Sequence, residues 1–482
     1  MSCCPPVRPN DDDSVAVFID KSKSATEQPP RHPPLPLQQA AERLSGKQAS
    51  DDGRVVRGSS KPLKDGTGGR FYFNVTGFPF PLGPLFARQT VRTEVEPGTI
   101  WCFEQEQSLA GLNVTTTVRM TVVKLQNGEL LVYAPIAPTR ECMHLVKELD
   151  APVKHIILTT HAYEHKIFIS PFQRRFPEAQ VYVVPNLWSF PLNLPLPLLG
   201  IFNAKVLTSD DMELPWSQEL SFKASFCHSA ALFLSDADAA TVQPFLILAV
   251  FSSKIGLAPY CEVAFYHKKA KLLMVTDAVV YIPEDPPEVV NRDKLQRAGE
   301  DNLFVRLLYA KDTAQKPRNQ DEQEKLGWKR MALLISYFSP EHLRDPVTFP
   351  KIGGRLIVMP VIQTLCFAKC PGPTRRWIDA ITQDWDFSRV VSAHFSSPVD
   401  AGPQDVKDAF SFAYDMAELG TGKQTQRSKS AEQGGSGPIS WPQNVKKTSQ
   451  GVEFPQEDLK GLNYIDAFLK FVGIVFREPR ND

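Results

Sequence analysis

Residues 118–185 can fold in few ways, because their apolar runs are short, switch between two periodicities and follow one another closely. In "VRMTVVKLQNGELLVYAPI" (118–136), Met120, Val122 and Leu125 precede an Asn127-Gly128 pair and a return run from Leu130 to Tyr133. That pattern predicts a hairpin with a type I′ turn. Pro138-Thr139 then opens a segment in which Cys142, Leu145, Val146 and Leu149 recur at helical spacing. "VKHIILTT" (153–160) and "VYVVP" (181–185) are continuous apolar runs of the kind that suits strands buried on both faces. "SPFQRRFPEAQ" lies before the second of them as helix or turn. Strand, helix, strand, helix, strand is α/β alternation and predicts a layered α/β domain.

A second hairpin is expected in "EVAFYHKKAKLLMVTDAVV" (262–280), with Val263, Phe265 and His267 on one face and a return strand ending in Thr276-Asp277. Residues 281–350 are charged and read as a helical insertion with an apolar helix around "WKRMALLISYF". "RLIVMPVI" (355–362) reads as a strand and "PGPTRRWIDAITQDW" as a proline-initiated helix. "SRVVSAHFSSPV" (388–399) reads as a strand ending on His394, and "DVKDAFSFAYDMAELG" as an amphipathic helix stopped by Gly420. The polar, proline-rich segment 1–68 is expected to be a disordered arm, 69–420 the folded domain, 421–452 a flexible linker and 453–482 a C-terminal helix docking on the domain.

Bulk composition excludes more than it assigns. Lys and Arg together number 54, as do Asp and Glu, so the balance indicates no nucleic-acid partner. Eight cysteines without paired CxxC spacing argue against a zinc ribbon and fit a reducing compartment. No apolar run reaches the ~18–20 residues of a membrane span, and the first residues lack the pattern of a secretory signal. No GxSxG elbow or phosphate-binding glycine loop occurs. Partners and oligomeric state stay undefined.

Three polar stops remain, each at the end of an apolar strand: His161/Glu164/His165, Asp277 and His394. Loops at strand ends expose side chains over a rigid sheet, and imidazole with carboxylate is the donor set of zinc or iron. Taken singly, each has an ordinary structural reading. His161 and His165 can cap a helix, Asp277 can close a turn, His394 can be a satisfied buried ring and His267 can pack in its strand. Only convergence would make them a site.

The order of elements resembles the metallo-β-lactamase fold, an αββα sandwich. In that fold a hairpin and helix lead to a strand ending in HxHxDH, a later hairpin ends in a bridging aspartate, and a late strand ends in a histidine. "IILTTHAYEHK", "LLMVTDAV" and "VVSAHFSSP" stand in the corresponding places. Four stretches are similar, more specifically, to a domain-of-unknown-function family (DUF4336) of photosynthetic organisms and bacteria, classed with that superfamily beside ribonuclease Z and hydroxyacylglutathione hydrolase-like proteins. They are "HAYEHKIFISPFQRRFPEAQVYVVPNLWSFPLNLPLPLLGIF", "GLAPYCEVAFYHKKAKLLMVTDAVVYIPEDPPE", "GWKRMALLISYF" and "PTRRWIDAITQDWDFSRVVSAHFSSPV".

The resemblance implies an αββα sandwich with His165, Asp277, His394 and His267 as metal ligands for one zinc or iron ion, and Glu164 as orienter or base. It also implies a chloroplast location, the cytoplasm being the reading without it. Against HxHxDH, His161 keeps the first place, Tyr163 replaces the second histidine, His165 the aspartate and Lys166 the third histidine. Those losses remove a two-metal site, and a cation at Lys166 opposes metal binding. Two functions follow from the resemblance: a non-catalytic or binding descendant, or a mononuclear metal-dependent hydrolase of a small ester, thioester or phosphoester. Residues 227–248 depart from the family pattern, as a lineage-specific insertion or as an intron read through in the gene.

Overall fold

A computed structural model of the chain describes residues 55–57, 69–73, 85–108, 114–185, 187, 195–207, 214–216, 220–221, 224–226, 249–254, 259–300, 317–338, 346–422 and 454–475. The atypical segment 227–248 lies outside these residues, as do nearly all of the expected arm and linker.

Two sheets carry the fold. The first runs in the order Val55–Arg57, Thr90–Glu96, Ile100–Ser108, Thr115–Lys124, Leu130–Tyr133, Val153–Leu158, Gln180–Val183, Lys205–Val206. Its early strands are antiparallel, and its last four are parallel, as the strand–helix alternation requires. The second runs Ala224–Phe226, Ala249–Lys254, Pro259–His267, Leu272–Met274, Arg389–Val391, Val399–Asp400, with Leu220–Ser221 paired beside Pro259–His267.

Side-chain alternation sorts these strands into layers. Ile100, Cys102, Val123, Leu131, Tyr133 and Ile157 of the first sheet meet Cys261, Val263, Phe265, Leu272, Met274 and Val391 of the second in one buried cluster. Their neighbours by one residue, among them Trp101, Phe103, Val122, Val132 and Ile156, face outward onto Cys142, Leu145 and Val146 of helix Arg140–Lys147 and onto Ile169 and Phe172 of helix Tyr163–Gln173. On the far side, Ala264, Tyr266, Leu273 and Val390 take Trp377, Ile378 and Ile381 of helix Pro371–Asp384. Each such fully buried side chain contributes roughly 1.5–3 kcal/mol. The architecture is an αββα sandwich, the fold class expected.

The described residues between 281 and 352 add a further layer in which helix Arg292–Gly299 packs on helix Gln320–Tyr337. Trp328, Met331, Phe349, Phe454, Leu459 and Leu462 share its core, so the segment leading into helix Lys460–Phe471 packs against this layer. Asp466 of that helix is buried and paired with Lys369 at 2.5 Å. Among the described residues no helix is long and apolar enough to cross a membrane.

Local expectations fail in three places. The helix expected over 405–420 is two helices, Pro403–Ala409 and Ser411–Gly422, and the second runs past Gly420. Only Gly128 of the Asn127-Gly128 pair has positive φ (84°), and its N–H donates to the Leu125 carbonyl at 2.8 Å, so the turn is not type I′. Asn127 keeps its φ negative, and its side-chain oxygen accepts the Glu129 N–H at 3.0 Å. The segment 355–362 yields only the short strand Leu356–Ile357, because Pro360 starts helix Pro360–Leu365.

Candidate metal centre

Strands Leu272–Met274 and Arg389–Val391 are parallel neighbours, with Met274 paired to Val391. Asp277 and His394 each follow their paired strand end by the same number of residues, so the ladder itself brings them side by side. His394 Nε2 lies 3.2 Å from Asp277 Oδ1. His165 arrives from the other sheet, in the first turn of helix Tyr163–Gln173 beyond strand Val153–Leu158, and its Nε2 is 3.3 Å from His394 Nε2. All three side chains are buried, and one ligand atom from each lies within 4.8 Å of the others. These are the carboxyl ends of the strands, where α/β sheets gather ligands.

Hydrogen bonds hold the arrangement. His394 Nδ1–H donates to the Thr117 carbonyl at 2.7 Å, so Nε2 is the ring nitrogen that faces His165 and Asp277. The loop carrying His394 is clamped by Arg119, which donates to the Ser392 carbonyl at 2.5 Å, to the Phe395 carbonyl and to Glu104 at 2.7 Å. The Thr276 hydroxyl donates to Thr159 Oγ1 at 2.7 Å, and Thr160 Oγ1 donates to Asp277 Oδ2 at 3.4 Å, tying the two sheets together beside the site.

Charge follows from that geometry. Burial and then the charge of His394 push the His165 pKa down to about 3, so its ring stays neutral. Burial works against the charged forms of Asp277 and His394, yet their mutual contact overrides it. The Asp277 carboxyl sits below its usual range and the His394 ring above its own. Glu164, half-buried at the rim with Oε1 3.8 Å from His394 Nε2, is raised by burial and then by the Asp277 charge.

The residues fit a cation. Two imidazole nitrogens and a carboxylate oxygen face one another in a buried space, a donor set that zinc and iron accept. His165 Nδ1, in contrast to that of His394, is buried without a hydrogen-bond partner, so the two histidines are not equally supported. Among the described residues no second group of three such donors gathers.

The expected residues thus divide. His165, Asp277 and His394 come together with Glu164 beside them, and His267 does not join them. His267 pairs with Leu272 at the turn end of its hairpin, five residues short of Asp277, or about 16 Å along the strand. Its Nδ1 instead accepts the Ala270 N–H at 3.1 Å. Sharing a face with Val263 and Phe265 placed it correctly across the strand but at the wrong end. His161 sits at the rim with Nε2 3.3 Å from the Pro185 carbonyl.

Lys166 is also displaced from its expected role. One residue along a helix turns a side chain by about 100° away from its neighbour, and burial alone lowers the Lys166 ammonium to about 8. No carboxylate or imidazole of the centre contributes to that shift. The folded-state pKa lies below the unfolded one, so folding penalises the ammonium below about pH 8, and stability rises between about 8 and 10.5. Lys166→Met is expected to remove that rise, as measured by denaturant unfolding across that range.

Sequence reasoning missed Glu262 and Arg119. The one signal the sequence offers for them is a charged residue set within an apolar run, and the structure buries both.

Among curated proteins nothing matches the chain. Among solved structures, DIM-1 metallo-β-lactamase exposed to ceftazidime is similar at 10% identity and a TM-score of 0.32, over 67% of this chain and 97% of that one. The metal-soaked Flv1 flavodiiron core from Synechocystis sp. PCC6803 is similar at 10% identity and a TM-score of 0.35, over 68% of this chain and 61% of that one. A fragment described as diflavin flavoprotein A 5 from Nostoc sp. PCC 7120 gives 8% identity and a TM-score of 0.35, over 69% of this chain and 99% of that one. The family described as a domain of unknown function (DUF4336) matches residues 97–352 and 344–412, which is most of the folded chain, and the protein belongs to that family.

Proposed function

We propose that this metallo-β-lactamase-like protein binds one divalent first-row metal ion through His165, Asp277 and His394. The convergence of three ligand atoms within 4.8 Å, drawn from three separate chain segments, carries this reading. Asp277 supplies the negative charge, and Thr117 orients the His394 ring so that Nε2 is the coordinating atom. A bound cation of this kind acts as a Lewis acid and lowers the pKa of water towards ~7. The expected metal content of the purified full chain, measured by elemental analysis after loading with zinc or iron(II), is about one ion per chain. A content that stays far below that after loading overturns the reading.

Glu164 favours a mononuclear hydrolase of a small ester, thioester or phosphoester as the second reading. Its carboxyl reaches the edge of the three-donor cluster while keeping part of its surface in solvent. A raised pKa is what a general acid or base near neutrality requires. In this role Glu164 takes a proton at its carboxylate and returns it to the leaving group. Turnover of a nitrophenyl ester or bis-nitrophenyl phosphate by the loaded protein, lost in Glu164→Gln with metal retained, supports hydrolysis. Metal retained without turnover on any of these substrates favours the binding module.

A further inference from the structure

Glu262 is buried in the middle of strand Pro259–His267, on the face it shares with Tyr260, Ala264 and Tyr266 rather than the face towards the other sheet. A carboxyl group on an apolar face is costly to bury unless its oxygens are used. Its Oε1 is used: it accepts the Thr276 N–H at 2.6 Å and the Asp277 N–H at 3.1 Å. Its Oε2 is buried with no hydrogen-bond partner.

The surroundings show what those bonds govern. Glu262 bridges to Thr160, and the next residue, Val263, donates its N–H to the Thr159 carbonyl at 2.9 Å, so this strand is joined to the loop that leads into His165. Thr276, held by Glu262, also accepts the Ala393 N–H at 3.1 Å through its carbonyl, which joins it to the residue before His394. All three segments that carry the ligand atoms therefore meet either at the strand that bears Glu262 or at the backbone it grips.

We propose that Glu262 is the positioning residue of the centre. By holding the amides of Thr276 and Asp277 it aims the Asp277 carboxylate at His394 and His165 without touching the cation. An ordinary brace would lose stability when removed; a positioning group changes how the metal is held. The proposal rests on the metal-binding reading of the site.

The test uses the full chain and cobalt(II) alone as probe, with affinity from competition titration and geometry from the visible d–d spectrum. Glu262→Gln keeps an acceptor at Oε1 and is expected to match the parent in both. Glu262→Val removes the acceptor and is expected to weaken cobalt binding about 10–100-fold, the usual cost of losing an outer-shell partner, with a changed spectrum. Glu262→Asp keeps the carboxyl group but shortens the reach by one methylene. It is expected to weaken binding as well, and it decides the matter where the valine variant does not fold. Parent-like affinity and spectrum in both Val and Asp variants overturn the proposal. A parent protein that takes up no cobalt sinks the metal reading instead. Amide exchange at Thr276 and Asp277 in the metal-free protein then decides for Glu262: faster exchange in the Asp or Val variant, restored in Gln, upholds its grip on the loop, and unchanged exchange ends it.

Discussion

Asp277→Asn is expected to drop the metal bound after loading and desalting from about one ion per chain to less than about 0.1, with affinity reduced at least ~100-fold. Removing a direct ligand should cost no less than the upper end of what an outer-shell loss costs. The substitution is nearly isosteric, and Glu262 binds the backbone amide rather than the side chain, so the loop keeps its anchor. What disappears is the only carboxylate in the three-donor group and the charge opposite His394. His394→Ala should reduce the metal content similarly, because the Nε2 that Thr117 orients is gone. Elemental analysis with unfolding curves on the same samples separates loss of ligand from loss of fold. Parent-like metal content in both variants would place the ion elsewhere.

Arg119→Met should have the largest effect on stability, about 3 kcal/mol in denaturant unfolding. The guanidinium is almost wholly buried, and it satisfies the carbonyls of Ser392 and Phe395 and the Glu104 carboxylate together. Removing it leaves the Phe395 and Ser392 carbonyls only the long bonds from the Thr117 and Ser397 hydroxyls, both 3.4 Å, and takes the partner from a carboxylate. Breaking a buried charged pair costs about 3–5 kcal/mol. The lower figure applies because Glu104 retains some contact with solvent. Arg119→Lys is expected to recover only a fraction, since an ammonium cannot present the planar fork that reaches three acceptors. The same loop carries His394, so metal affinity should also fall in the lysine variant even where it remains folded. An unchanged midpoint in Arg119→Met would show that the loop is held by other bonds, such as the one from the Arg119 backbone N–H to the Ala393 carbonyl at 2.7 Å.

Lys166 and His267 show how far a motif comparison carries. Their order in the chain makes one a cation beside the metal and the other a ligand. Helix geometry turns the first aside, and strand length separates the second from the site. Glu262 shows the converse: no motif pointed to it, and its significance appears only once its acceptors and their neighbours are in place.

Periodicity in the chain determined the strands and helices, which face of each was apolar, and that polar residues closed several strands. Those are local properties, set by alternation of two in a strand and 3.6 in a helix. The spatial neighbours were decided elsewhere. Asp277 meets His394 because strands 272–274 and 389–391 pair in parallel across more than a hundred intervening residues, and His165 joins them because two sheets pack face to face. Alternation reports the side of a strand, never the strand beside it or the end that lies near a site. That choice belongs to long-range packing, where burial of the shared core outweighs the entropy of closing such long loops.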